Sequence, residues 1–316
     1  MRPILQEIAR MHSFVYNSNK GTIVSYQIVT DSSATLPLEL IKEFGLTILP
    51  LSYMDTATGV QTPIDVFDKN FDLVAFYNNM RNGTVYSTSL PNPSDTRDTL
   101  TKLVEEGNDL LYIGFDSAIS GTYESVSSIM NQLAEEHPER KLVAIDTLTA
   151  AGGQGLLVYY ACRMKQKGAG LEEVEQWVRN NQLCVDHWFT VEDLQYLLRG
   201  GRVSKTSATV GTLLNVKPVL TVSPQGVLTP IEKVRGRKKS MQALIKHFGE
   251  NHSEIDDDYV VCIAHADSPK DAEWLKNELA EKYGVKHFFV ELLDPVVGAH
   301  TGPGLLVICY PCKPRA

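Results

Sequence analysis

Long apolar runs are missing from this sequence. The two most continuous, residues 155–161 (GLLVYYA) and 304–310 (GLLVICY), stop well short of the roughly 18–20 residues that cross a bilayer as a helix. The first 21 residues have Glu7 near their start and no unbroken apolar core before a small-residue cleavage site, so they do not read as a secretory signal. Cysteine is scarce, five residues in 316, odd in number and mostly set in apolar runs. That excludes a disulfide scaffold and favours reduced, buried thiols and a cytoplasmic address. Basic charge is in deficit: 30 Lys and Arg against 38 Asp and Glu leave a net charge of −8, which argues against nucleic acid and anionic membrane surfaces as partners. The common catalytic signatures are absent as well, with no G-x-S-x-G elbow, Walker loop, H-E-x-x-H or strand-borne G-x-G-x-x-G.

What is present is an ordinary globular composition on a chain long enough for two domains. β-rich runs alternate with helical patterns through the first half: strands at residues 22–30, 46–54, 84–89, 109–115 and 141–147, and helices at 72–80, 94–107, 121–137 and on to about 168. Such alternation predicts βαβ units and a mainly parallel sheet with flanking helices. The second half opens with a hairpin, residues 220–234, around Pro224, Gln225 and Gly226, and then returns to strand–helix–strand. The division expected is an N-terminal extension (1–21), an N-terminal α/β domain (22–167) and a C-terminal α+β domain (168–316). Gly152, Gly153 and Gly155 read as a helix start packed closely on a neighbour. The Cys309 and Cys312 pair reads as fortuitous spacing, because no second pair completes a metal site.

Four loops at strand ends concentrate hydroxyls, glycine and charge, where open α/β sheets bind ligands. The first holds Asp31, Ser32 and Ser33; Asp and Ser are also ordinary cap and turn residues. The second holds Thr88, Ser89 and Ser94, the last a good cap for the following helix. The third, with Asp116, Ser117, Ser120, Gly121 and Thr122 before a long helix, has the makings of an anion site. The fourth places His300 in a glycine-rich turn with Gly298, Thr301 and Gly302. Two basic clusters, Arg199, Arg202 and Lys205, then Lys233, Arg235, Arg237, Lys238 and Lys239, read either as solvated surface or as a docking face for an acidic partner.

Taken in order, VTDSSATLP, STSLPNPSD, SAISGTYESV, LQYLLRGGRVSK, GTLLNVKPVL, EKVRGRKKSM and GAHTGPGLL resemble the motifs of the DegV family of bacterial fatty-acid-binding proteins. The resemblance runs over about residues 23–310. Thr35 stands where the family usually has Asp, and residues 56–70 look like an addition. The resemblance implies a two-domain fold with one palmitate-like or oleate-like fatty acid between the domains and no further cofactor or metal. It carries the carboxylate ligands onto Ser89 and His300, with Thr88 beside them and Thr62 as the matching upstream threonine. It further implies that a separate fatty acid kinase makes an acyl phosphate of the presented carboxylate, with Arg202 at that contact. A different chemistry stays open on the same residues: Ser89 and His300 as nucleophile and base of an acyl hydrolase or transferase, oriented by Asp294 or Asp116.

Overall fold

The computed structural model describes residues 25–204 and 215–315. The expected N-terminal extension, Lys205 and the first part of GTLLNVKPVL therefore lie outside the described residues. The first sheet is wholly parallel, in the order β2 (Thr47–Leu49), β1 (Tyr26–Asp31), β6 (Asp109–Gly114), β7 (Leu142–Asp146). Its strands alternate between two cores. Val29, Leu110 and Tyr112 face Leu100, Val126 and Leu133 of helices α3 (Pro93–Glu105) and α4 (Thr122–Glu136). Ile28, Leu111 and Ile113 face the other way, with Leu156 and Val158 of α5 (Gly152–Gln166) and Val174 of α6 (Leu171–Asn181). A sheet covered on both faces needs apolar residues at every position, which is why its strands are continuous apolar runs.

The second sheet is mixed and mostly antiparallel: β10 (Leu228–Arg235), β9 (Val216–Val222), β8 (Val185–Thr190), β13 (Leu306–Pro311), β11 (Val260–His265), β12 (His287–Leu292). Only β11 and β12 run parallel. Helices α8 (Arg237–Asn251) and α9 (Pro269–Tyr283) cover its outer face through Leu244, Phe248, Leu275 and Leu279. Its inner face, with Leu220, Cys262 and Val307, joins the central core. Cys309 and Cys312 fall in different cores on opposite faces and are both free thiols.

Helix α5 is the shared layer between the sheets, and its first turn explains the three glycines. A Cβ on Gly152 would run into Cys262, one on Gly153 into the His187 ring, and one on Gly155 into the Ala34 carbonyl. The helix can therefore lie against both sheets at backbone distance.

Two expectations need correction. Residues 46–54 are not one strand. β2 ends at Leu49, and β3 (Ser52–Asp55) belongs to a separate antiparallel sheet with β4 (Gln61–Pro63) and β5 (Tyr86–Ser89). Pro50 sits at the break, where it has no N–H to continue a ladder. Nor is Gly298 to Gly302 a turn. It forms most of a short helix, α10 (Pro295–Thr301), capped at its start by Asp294, whose Oδ1 accepts from the Val296 and Val297 N–H groups. Gly302, at φ 79°, ends it. Helix α2 (Leu73–Arg81) fixes α10 in place: Tyr77 donates to the Leu293 carbonyl at 2.8 Å, and Gly298 leaves room for its ring.

Candidate functional site

In the first sheet the chain leaves β1 for β2 on one side and leaves β6 for β7 on the other, in opposite directions. A crevice opens beyond the strand ends at such a point. Ser33, just after β1, and Phe115, just after β6, form one side of it. The inner face of the second sheet supplies the other through Phe189, Val222 and Val307. The cavity, open to solvent, measures about 1010 Å³ including its mouth. Most of its wall is apolar, and its polar lining is Ser33, Thr88, Ser89, Ser120, His187, Arg202, His300 and Thr301.

Thr88, His300 and Arg202 are neighbours among these, with Ser89 and Ser120 next in sequence to Thr88 and to the Ile119 carbonyl that Arg202 holds. β5 delivers Thr88 and Ser89, the last turn of α10 delivers His300, and Thr88 Oγ1 lies 2.8 Å from His300 Nε2. Gly200, after α7 (Gln195–Arg199), packs against the imidazole; a Cβ there would meet Nδ1. Burial, with the positive charges of Arg202 and Arg199, holds the His300 pKa down at about 4. The ring is thus a neutral hydrogen-bonding group beside a guanidinium. Arg202 is half-buried, and it spends Nε on the Ile119 carbonyl and one terminal nitrogen on the Gly200 carbonyl, at 2.9 and 2.6 Å. A site with a hydroxyl pair, a neutral imidazole and a fixed positive charge, backed by an apolar chamber, suits an anionic head on an apolar body.

The remaining sequence-predicted residues divide sharply. Ser33, Ser120 and Thr301 line the cavity. Asp31, Ser32, Ser117, Gly121, Thr122, Gly298 and Gly302 do not. Asp31 is fully buried and accepts from Ser33 N and Oγ, Tyr112, Phe115 N and Gln154. Ser32 Oγ accepts from Leu51 N, and the Ser117 N–H reaches Asp146. Thr122 pairs with Ser120 at 2.9 Å. Asn92, not Ser94, caps α3, because its Oδ1 reaches the first free N–H groups of the helix. Thr62 lies in β4, paired with Tyr53 across from β5 and hydrogen-bonded to that tyrosine, away from the cavity lining. Of the basic residues, Arg237 is tied to Asp271 and Glu192, while Lys238 and Lys239 are exposed on α8.

Sequence reasoning missed His187, which lines the cavity. Burial and the charge of Arg315 push its pKa down to about 3, and its Nδ1 meets no partner. Its only sequence signal was a histidine inside a strand-like run. As for a Ser–His–carboxylate arrangement, His300 is bonded to Thr88 and, among the described residues, to no carboxylate. Asp294 caps α10 and Asp116 accepts from Ala118 N. Among the described residues no helix is long and apolar enough to cross a membrane.

The family model described as "Uncharacterised protein, DegV family" matches residues 25–312. A DegV domain-containing protein of Clostridium perfringens is 37% identical over 287 residues, covering 90% of this chain and 97% of that relative. Another from Lactococcus lactis is 32% identical over 286 residues, with the same coverage of each. A DegV lipid-binding protein from Thermotoga maritima has a similar structure, with a TM-score of 0.80 at 29% identity over 92% of this chain and 100% of that one. A DegV family protein from Thermus thermophilus, described by its fatty acid binding, matches with the same TM-score and coverage at 27% identity.

Proposed function

The chain belongs to the DegV family, and from that premise we propose that it binds one long-chain fatty acid, palmitate-like or oleate-like, as a carrier without chemistry of its own. The acyl tail fills the cavity between the two sheets. The carboxylate sits where Ser89 and the Thr88–His300 pair donate to it and Arg202 supplies the compensating charge. The observation that carries this reading is one large, mostly apolar cavity whose lining includes the Thr88–His300 pair, Ser89 and Arg202. Fatty acid binding by the Thermus relative supports it.

Burying a methylene contributes about 0.8 kcal/mol, so some fifteen of them contribute roughly 12 kcal/mol gross. Each charge-assisted hydrogen bond contributes about 1.5–3 kcal/mol. The tail therefore dominates affinity and the polar groups fix the direction of entry. A hydrolase would need a general base held by a third group, and His300 instead faces Thr88 with two arginines nearby. The carboxylate end lies beside the partly exposed Arg202 and Ser89, which suits presentation to a separate ATP-using kinase for acyl phosphate formation.

The test is titration of delipidated protein with palmitate, alongside a Val307→Trp variant that fills the chamber. The reading expects saturable binding by the native chain and its loss in the variant. Equal binding by both, or turnover of a p-nitrophenyl acyl ester that Ser89→Ala abolishes, would contradict it.

A further inference from the structure

Two segments, residues 31–36 and 291–297, form a partition in the molecule. Ser33, Leu293 and Val296 face the acyl cavity. Ser32, Ala34, Leu292 and Asp294 face a second cavity on the other side, about 860 Å³ including its mouth. The hydrocarbon wall of that second cavity comes from Ile41 of α1 (Leu38–Phe44), Ile48 of β2, and Ile64 and Phe71 of the connection into α2.

The polar part of this wall is one-signed. Asp294, Glu291 and the already hydrogen-bonded Asp31 lie in it, Asp65 and Asp68 stand at the exposed rim, and no Lys, Arg or His lines it. Asp294 is only 9% exposed, and while its Oδ1 caps α10, its Oδ2 meets no donor. Glu291 is half-buried and makes no hydrogen bond or ion pair with a described residue. Burial, reinforced by Glu39 for Glu291 and by Asp31 for Asp294, pushes both carboxyls up to about 7. Carboxyls raised to that range either take up a proton or are held ionised by a positive group beside them. A bare metal ion fits poorly, because among the described residues no three His, Cys, Asp or Glu side chains gather closely enough to hold one. The apolar wall also calls for an apolar body.

We propose that this second cavity binds an amphiphilic organic cation, its ammonium group held by Asp294 Oδ2 and Glu291 and its hydrocarbon part lying against Ile41, Ile48 and Phe71. The site is separate from the acyl cavity and does not depend on the reading given to it.

The probe is n-octylamine, titrated calorimetrically into the full-length protein as purified, with 1-octanol as the uncharged control. The expected result is saturable binding of octylamine, with octanol weaker by roughly tenfold or more, as the loss of a charge-assisted hydrogen bond implies. Glu291→Gln, a half-buried and unbonded position, should weaken octylamine by a similar factor without unfolding the chain. Ile48→Trp should block it by filling the cavity. Delipidated protein should give the same affinity, so failure of the fatty acid reading would leave this result standing. No saturable binding, equal binding of octanol, an unchanged affinity in Glu291→Gln, or displacement of bound fatty acid by octylamine would overturn the proposal.

Discussion

Two polar clusters lie close to the acyl cavity, and they differ in how much of their hydrogen bonding the protein satisfies itself. Around Asp31, five donors converge on one fully buried carboxylate: Ser33 N and Oγ, Tyr112, Phe115 N and Gln154. These donors come from the turn after β1, from β6 and its end, and from α5, so the carboxylate ties the first sheet to the shared helix. Around His300 the protein supplies one partner, Thr88, and leaves Ser89 exposed and Arg202 facing the cavity. The first cluster has spent its capacity on the fold. The second has capacity left for a ligand. Motif residues that look alike in sequence are thus separated by bookkeeping of donors and acceptors, not by residue type.

The largest expected effect is on the Asp31 side. Asp31→Ala leaves the Tyr112 hydroxyl and the Phe115 N–H without an acceptor and takes one of three acceptors from the Gln154 amide, and should cost about 3–5 kcal/mol in urea denaturation. A variant that stayed fully stable but lost fatty acid binding would move Asp31 into the other cluster. His300→Ala should do the reverse. Palmitate affinity should fall by roughly 10- to 100-fold, as the loss of a charge-assisted bond implies, while ligand-free stability changes little. A large stability loss with binding intact would erase the distinction.

A smaller effect is expected in acid. His300 is held neutral, its pKa lowered to about 4 by burial and by Arg202 and Arg199. The unfolded chain takes up that proton near pH 6.5, so it binds more protons than the folded chain between these values. The contribution is whole above pH 6.5 and is lost as pH falls toward 4. Ligand-free His300→Gln should therefore lose less stability than the native chain over that window. His187 titrates alike in both chains and cancels, and identical slopes would argue against a neutral His300. The smallest effect falls on Ser89. Ser89→Ala should weaken palmitate less than His300→Ala does and leave its methyl ester unchanged, so that the preference for the acid narrows. Equal, large losses for both ligands would show that Ser89 anchors binding and does not merely orient it.

Much of this was legible in the sequence where one local rule decides the outcome. Strands covered on both faces are continuous apolar runs, so β1, β6 and β7 stood out, and Gly45, in the left-handed region at φ 60°, ends α1. Gly226, at φ 79°, likewise marks the turn between β9 and β10. Legibility failed where a tertiary contact decides. Pro50 divides an apolar run between two sheets, which periodicity does not reveal. The glycines around His300 read as loop residues, yet Gly298 and Gly302 leave room for Tyr77 and Tyr196. Thr62 matched by position in the chain but lies two strands from β5, across β3. His187 reaches the cavity only because β8 sits beside β13 in the second sheet. Arg202, read as solvated surface or as a partner contact, lines the cavity, just after Gly201 turns the chain at φ 70°.

The most direct test of the central claim is to denature the purified protein, extract it with organic solvent and identify the released lipid by mass spectrometry against the amount of chain. The account predicts close to one straight-chain fatty acid per chain, with little or none recovered from Val307→Trp. A protein that releases no fatty acid, and that still takes up none when palmitate is added, would contradict it.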